Sequence, residues 1–452
     1  MVEKALFGTD GVRGKANEYP MTVEIALSLG RAAGKIFRRH DGIHRVVVGK
    51  DTRLSCYMFE NALIAGLCSM GVNTLMVGPL PTPGVAFITR AYRADAGIMI
   101  SASHNPYRDN GIKFFSHDGF KLPNSVEKEI TDLVMTNDFS GDCPSTDKIG
   151  KNFKVDDADG RYIEYIKATL PRKMLFNGLK IVVDCANGAS YKVAPTILRE
   201  LDANVVVYGD KPNGLNINDG YGSLHPDIIQ EGVIAGSCDV GIAFDGDADR
   251  VIMSDEKGNV VDGDAILAIC ASDMMKRGKL SNNTVVGTVM SNYGFIKCME
   301  ELGIKVVIAP VGDRYVIKEM KKHGANLGGE QSGHIIFMDY NTTGDGIASA
   351  LQVLRIMVET GKKLSELASI YTPYPQVLIN VAVTKKPPIE EMPDIGDAIA
   401  SAEKELKDTG RVLVRYSGTE KICRVMVEGE DETMITRIAE ELKGVITKLI
   451  GK

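Results

Sequence analysis

The sequence has no excess of positive charge: 53 Lys and Arg stand against 59 Asp and Glu, a formal net charge of −6 at pH 7. A field of that sign gives no general attraction to nucleic acid or to an anionic membrane, so any phosphate binding has to be local. The eight cysteines form no CxxC pair and have no nearby His pattern of a zinc site, in a chain far too long to need disulfide staples. They are expected to be reduced and mostly core residues. No stretch approaches the ~18 uninterrupted apolar residues of a membrane span. The N-terminal MVEKALFGTDGVRG lacks the apolar segment of a secretory signal. These absences predict a cytoplasmic protein with no membrane partner and no nucleic-acid partner. A nucleotide loop is missing too: GRAAGK at Gly30 is one residue too short for a Walker A loop and lacks its Ser or Thr. No GxGxxG follows a strand, so ATP and NAD sites are not supported.

What is present is length and an α/β rhythm. A chain of 452 residues with 44% hydrophobic content can bury several cores and predicts three or four domains. Short β-rich apolar runs recur, each ending in a Gly, Asp or Ser-rich loop and followed by a segment of helical period. The first block holds RVVVGKDTR, TLMVGPLPTP and GIMISASHNP, with amphipathic stretches at about 21–38 and 54–70, and closes in a polar, structure-poor stretch at 137–160. The second holds KIVVDCANGAS, NVVVYGDKPNG and DVGIAFDGDADRVIMSD; the third holds TVVGTVMSNYG, KVVIAPVGDRYV and NLGGEQSGHIIF. After YTPYP the pattern becomes strand, helix near 394–408, two strands and a helix from about 431. The expected fold class is α/β: three similar α/β domains with mixed sheets (1–155, 156–255, 256–371) and a smaller C-terminal α+β domain (372–452), around a central cleft. Loops that follow strand ends carry function in open α/β sheets, so those at Ser101, Asp245 and Glu330 are expected to converge.

DGDADR places Asp245, Asp247 and Asp249 at alternate positions between two apolar strands, where idle charge is expensive unless a cation sits among them. An EF-hand loop fails because Arg250 stands where Gly is needed and strand-like VIM follows. Mg²⁺ held by three carboxylates keeps positions open for a phosphate oxygen, and Arg250 adds a charge-assisted bond to the same anion. SASHNP ends a very apolar strand and offers Ser103 as a covalent carrier beside His104, although a turn with capping hydroxyls has the same composition. GGEQSGH supplies Glu330, Ser332 and His334 for sugar hydroxyls, or a plain Gly-rich hairpin. RYSGTEKICR combines Arg415 and Arg424 with hydroxyls, a composition suited to a phosphate monoester, or to a solvated loop.

Taken in order, FGTDGVRG, ISASHNPYRDNGIKFF, DGDADR, GEQSGH and RYSGTE resemble the α-D-phosphohexomutase superfamily over the whole chain, and Gln331 is similar to its amino-sugar branch. The resemblance implies a phosphorylated nucleophile at Ser103, which joins the three aspartates as a metal ligand with Mg²⁺ as cofactor, and a catalytic place for His104. It implies that Arg13 and Arg250 support the phosphoserine, that Lys113 and His334 transfer protons, and that Glu330 and Ser332 hold the sugar. Arg415, Ser417, Gly418, Thr419 and Arg424 would hold the phosphate that is not transferred. The implied activity interconverts glucosamine 6-phosphate and glucosamine 1-phosphate through a 1,6-bisphosphate, with a hexosamine phosphate as substrate. Glucose or glucosamine 1,6-bisphosphate would serve as activator, and a homodimer is a partner state it admits. A phosphomannomutase/phosphoglucomutase of the same fold, a non-catalytic sugar-phosphate sensor and a phosphatase are the alternatives. One departure is Lys421, where the family pattern has Pro after SGTE; it changes the stiffness and charge of that loop.

Overall fold

The computed structural model describes residues 6–8, 10–38, 42–139, 141–417 and 421–452. They divide into two compact units: 1–290 with 304–370, and 291–303 with 371–452.

The first unit carries three sheets. The first is built from β1 (Val12–Lys15), α1 (Val23–Phe37), β2 (Arg45–Lys50), α2 (Leu54–Ser69), β3 (Asn73–Pro79), α3 (Thr82–Ala91), β4 (Ala96–Ile100), β5 (Asp109–Ser116), α4 (Asn124–Thr136) and β6 (Asn152–Lys154). Its strand order is β1-β5-β4-β2-β3-β6. The stretch read from sequence as structure-poor, 137–160, thus contains an edge strand: β6 runs parallel to β3. All three of its side chains are exposed, so it has no apolar alternation to reveal it. The second sheet follows α5 (Ala158–Lys167) and comprises β7 (Lys180–Asp184), β8 (Asn204–Tyr208), β9 (Val240–Phe244), β10 (Val251–Ser254) and β11 (Val260–Val261), with α6 (Val193–Glu200) and α7 (Asp227–Gly236) as crossovers. The third follows α8 (Gly263–Lys276) and comprises β12 (Thr284–Thr288), β13 (Lys305–Ala309), β14 (Leu327–Gly329) and β15 (Ile335–Phe337), with α10 (Asp313–His323) before β14 and α11 (Gly346–Thr360) and α12 (Leu364–Ala368) after β15; α9 (Tyr293–Glu301) lies in the second unit.

The three sheets share one plan. β2 pairs in parallel with β3 and β4, and β4 turns back antiparallel into β5. β7, β8, β9 and β10 repeat this, and so do β12, β13, β14 and β15. The central strands are continuous apolar runs because helices cover both faces; every residue of β4, β9 and β12 is buried. The repeat therefore places three equivalent loops, β4–β5, β9–β10 and β14–β15, and these carry SASHNP, DGDADR and GEQSGH.

In the second unit β16 (Gln376–Ala382), β18 (Ile422–Gly429) and β17 (Gly410–Tyr416) form an antiparallel sheet in that order. α13 (Pro393–Leu406) and α14 (Glu432–Ile450) bury Leu406, Ile435 and Leu442 against Val425 and Val427. α9 belongs here: Asn292 caps it through Gly294 N–H and exchanges hydrogen bonds with the backbone of Tyr374, while buried Glu428 accepts from Tyr293 N–H and from Arg411 at 2.6 Å.

All eight cysteines are free, and six are buried; Cys143 is exposed. Among the described residues no helix is long and apolar enough to cross a membrane.

α1 and α2 touch through glycine. A Cβ on Gly66 would lie 2.4 Å from the Leu27 carbonyl oxygen, and one on Gly30 would lie 2.5 Å from that of Leu63. Gly66→Ala should therefore push the helices apart at a cost of about 1–3 kcal/mol. The expected result is earlier loss of amide hydrogen-exchange protection in α1 and α2 with no change in residues 410–429; unaltered protection would mean the pair can separate freely.

Candidate active site

Ser103 sits at the end of the buried strand β4 in a left-handed conformation, φ +53°. A serine pays for that geometry, so the surroundings must enforce it. Its N–H donates to Ser101 Oγ at 2.9 Å, and Ser101 Oγ donates to Asp51 at 2.6 Å. Arg53, fully buried, salt-bridges Asp51 at 2.9 Å and turns its remaining donors on the carbonyls of Ser103 (2.9 Å), Asn105 (2.8 Å) and Pro106 (2.5 Å). From the second sheet's side Asn218 Nδ2 donates to the carbonyls of Ser103 and Asn105, each at 2.9 Å. The outcome is a hydroxyl that is 2% exposed and donates to Asp245 Oδ2 at 2.5 Å. His104 Nδ1 is 3.4 Å from the same hydroxyl. Burial, then Arg250 and Arg13, lower the His104 pKa to about 4, so this imidazole is neutral near pH 7.

The aspartate loop meets the serine loop closely enough that a Cβ on Gly246 would lie 2.6 Å from the Ser103 carbonyl oxygen. Asp245, Asp247 and Asp249 are all buried and each offers an oxygen within 4.8 Å of the others. Burial, then Asp249 and Asp247, raise Asp245 well above the usual carboxylate range. Burial works the same way on Asp249, but Lys113 and His334 outweigh it and hold that carboxyl well below. Two oxygens, Asp247 Oδ1 and Asp249 Oδ1, are buried without a hydrogen-bond partner. Buried carboxylate oxygens that accept no hydrogen bond, in a cluster of three acidic groups, fit a hard cation with oxygen ligands.

Lys113, on β5, is 1% exposed and lies 2.8 Å from Asp247, 3.2 Å from Asp10 and 3.4 Å from Asp249. Burial opposes its charge, yet Asp10, Asp247 and Asp249 together raise its pKa. Arg13, on β1, pairs with Asp10, and Lys121 bridges Asp10 to Asp313, the latter at 2.6 Å. Arg250 donates its backbone N–H to Asp245 Oδ1 at 3.1 Å and keeps its guanidinium 3.9 Å from Asp249.

In the third loop Glu330 is buried and accepts from Gly312 N–H at 2.9 Å, tying this loop to the start of α10. His334 Nε2 accepts from Gly344 N–H at 3.1 Å, which favours the neutral ring, while Asp249 at 3.6 Å and Asp313 at 3.7 Å favour the imidazolium. Burial lowers its pKa, but the carboxylates prevail and the net shift is upward. Ser332 is exposed. Gln331 donates to Asp262, the N-cap of α8, at 3.2 Å. Sequence reasoning thus picks the three loops and misses what sets them: Asp10, Asp51, Arg53, Thr82, Lys121, Asn218 and Asp313. KDTR and PTP stand out as strand ends, with nothing local to assign them a partner.

In the second unit, Arg415 on β17 and Arg424 on β18 are direct cross-strand neighbours. Burial, then Arg424, lower the Arg415 pKa. Like charges opposite one another destabilise a sheet unless an anion sits between them. Ser417 is buried, and its carbonyl accepts from Lys386 at 2.5 Å, a third cation at this loop. Gly418 and Thr419 lie outside the described residues.

Four family descriptions match consecutive parts of the chain: phosphoglucomutase/phosphomannomutase alpha/beta/alpha domain I at 4–141, domain II at 160–258, domain III at 262–374 and the C-terminal domain at 378–445. A phosphoglucosamine mutase of Protochlamydia amoebophila is 62% identical over 446 residues, 99% of this chain and 97% of that protein. The chain belongs to the phosphoglucosamine mutase family. Among solved structures, a phosphoglucomutase/phosphomannomutase family protein of Burkholderia thailandensis covers 99% of this chain and 98% of its own at TM-score 0.81 and 23% identity. An N-acetylphosphoglucosamine mutase of Aspergillus fumigatus, in complex with GlcNAc-6P and magnesium, covers 98% and 95% at TM-score 0.68 and 18% identity. At those identities the likeness is one of fold. The phosphoglucosamine mutase family is metal-dependent, and the aspartate triad is able to hold an ion.

Arg53 shows what holds the serine loop. Lysine keeps the charge opposite Asp51 but cannot reach three carbonyls at once. Arg53→Lys should leave the protein folded but loosen the serine loop, so that the amides of residues 101–106 exchange hydrogen about 10–100-fold faster while those of β2 and β4 keep their protection. Hydrogen exchange read by mass spectrometry checks this, and an unchanged rate in the loop would show that it keeps its shape without the clamp.

Proposed function

We propose that the chain is an isomerase that interconverts glucosamine 6-phosphate and glucosamine 1-phosphate through a phosphoserine at Ser103 and a glucosamine 1,6-bisphosphate intermediate. The observation that carries this is the meeting of Ser103 Oγ with Asp245 inside a buried triad whose other two members each keep an oxygen that accepts no hydrogen bond. Membership of the phosphoglucosamine mutase family supports the sugar assignment.

In the first half-reaction the bond from phosphorus to Ser103 Oγ breaks as a bond forms to a hydroxyl of the sugar phosphate. The sugar hydroxyl loses its proton and Ser103 Oγ recovers one. His334 suits the first task, because its surroundings support both the neutral and the charged ring. Lys113 is held as an ammonium and suits charge neutralisation and proton donation. Arg13 and Arg250 stabilise the phosphoryl charge, and neutral His104 stands by the serine as a hydrogen-bond partner. Glu330 and Ser332 hold sugar hydroxyls. In the second half-reaction the other phosphate of the bisphosphate returns to Ser103, so each orientation of the sugar presents a different idle phosphate. Arg415, Ser417, Gly418, Thr419 and Arg424 are assigned to grip it.

Asp245, Asp247, Asp249 and Ser103 would hold Mg²⁺, the ion that suits an all-oxygen donor set and that accompanies the Aspergillus relative. When bound, the ion supplies Lewis-acid stabilisation of the phosphoryl oxygens. Glucose or glucosamine 1,6-bisphosphate would prime an unphosphorylated chain.

Two measurements test the reading. Ser103→Ala should fold, carry no phosphate after incubation with glucose 1,6-bisphosphate, and show no conversion of glucosamine 6-phosphate, whereas the wild-type Ser103 peptide should gain a phosphate that tracks activity. Turnover by the variant would sink the phosphoserine, and a higher kcat/KM for glucose or mannose phosphates would move the chain to the other branch of the superfamily. Arg424→Ala should raise KM about 10–100-fold, the loss of one or two charge-assisted hydrogen bonds, with a smaller change in kcat. An unchanged KM would remove Arg424 from the phosphate grip.

A further inference from the structure

α3 begins at Thr82, in the loop PTP that follows β3, and its first residue is fully buried. Thr82 N–H donates to the Asp247 carbonyl oxygen at 2.9 Å, and Thr82 Oγ1 donates to Asp247 Oδ2 at 2.6 Å. Lys113 Nζ donates to the same Oδ2 at 2.8 Å. The other oxygen, Asp247 Oδ1, is buried with no partner. The two sides of this carboxylate are therefore unequal: Oδ2 is saturated by a hydroxyl and an ammonium, and Oδ1 accepts no hydrogen bond.

From this asymmetry we infer that Thr82 is a positioning residue for the metal site, fixing the rotation of Asp247 so that Oδ1 alone faces the cation. The inference deepens the proposed function and rests on its assignment of Asp247 as a ligand. Thr82 belongs to the first sheet's crossover and Asp247 to the second sheet's loop, so the same pair of bonds ties the two sheets together at the site. Lys113 alone cannot do this. An ammonium is a point charge without a fixed donor plane, shared here with Asp10 and Asp249, and it tolerates rotation of the carboxylate about its axis. The β-branched Thr82 side chain, at the first turn of a helix and completely enclosed, has few rotamers open to it, and its hydroxyl is held on Asp247 Oδ2. A partner of this kind orients a ligand, and its loss typically costs 10–100-fold in metal affinity.

Binding of Mg²⁺, and of Mn²⁺ as a spectroscopic substitute, to the unphosphorylated full chain is the test, read by calorimetry and by the electron paramagnetic resonance of Mn²⁺ without any turnover. Thr82→Val keeps the volume and loses the hydroxyl; Thr82→Ala loses both; both keep the backbone bond to Asp247. Each should weaken metal binding by about 10–100-fold, and Thr82→Ser should restore it. Equal affinity in wild type, Val and Ala variants would overturn the inference, as would a loss confined to Ala, which marks packing. Should Val fail to fold, Ala against Ser decides between the same outcomes. If the wild type itself binds neither ion, and Asp247→Ala changes nothing, the metal assignment in the proposed function has failed instead.

Discussion

Three carboxylates enclosed in one loop are the constraint around which the first unit is arranged. At the separations found here they repel each other in a medium that screens poorly, and the conflict shows in their ionisation: Asp245 is forced toward its neutral form while Lys113 and His334 keep Asp249 charged. Such an arrangement has no structural merit, since an apolar loop of the same size would pack at less cost. Its merit is chemical. The strands on either side, β9 and β10, are buried along their whole length and hold the loop rigid enough to maintain the conflict.

The repeated sheet plan explains how the other chemistry reaches this point. In each of the three sheets the third parallel strand turns back into an antiparallel fourth, and the hairpin between them joins the strands directly, whereas the parallel strands are joined through helices. Short and anchored on two buried strands, it suits groups that must be held within fractions of an ångström. One hairpin carries Ser103, one the acidic triad and one His334. The contacts that join them are polar and specific: Ser103 to Asp245, Asn218 to the serine loop, Thr82 to Asp247, His334 beside Asp249. Apolar packing gives each sheet its core, while these bonds set the sheets in register with each other at the site.

How much of this can be read without coordinates divides along a physical line. Buried parallel strands announce themselves as apolar runs, so GIMI, VGIAF and TVVGT mark the sheets, and the charge pattern of DGDADR is legible because buried repulsion demands a reason. Paired contacts across long stretches of chain are not legible. Arg53 looks like a surface residue in KDTR, yet it is fully buried because carbonyls of Ser103, Asn105 and Pro106, some 50 residues on, converge on its guanidinium. The edge strand β6 escapes because exposed residues carry no period. The third unit-one hairpin gives a subtler case. Gln331 marks the amino-sugar branch by resemblance, and its side chain bonds to the cap of α8, a contact that nothing local in the sequence announces.

The charge around the triad also bears on what the site is ready to receive. Asp10, Asp245, Asp247, Asp249, Asp313 and Glu330 set six carboxylates against four permanent cations: Arg13, Lys113, Lys121 and Arg250. With Asp245 ionised, as a bound cation beside it would favour, a divalent ion closes that gap of two. Each phosphoryl group then adds about −1.5 to −2, and a cluster already neutral would resist it unless some cations can be turned from their present partners. Lys113 and Lys121 are enclosed between carboxylates and have little freedom, whereas Arg13 and Arg250 are 30% and 24% exposed along the side chain and hold one acidic neighbour each at close range. On the proposed reaction, Arg13 and Arg250, the less enclosed pair, are the groups that would turn onto a phosphoryl oxygen as it arrives, and their bidentate geometry matches it. The buried lysines would keep the carboxylates from recoiling. Division of the cations into an enclosed pair and a more exposed pair would let one cluster stay assembled with the phosphate on the serine and with the phosphate on the sugar.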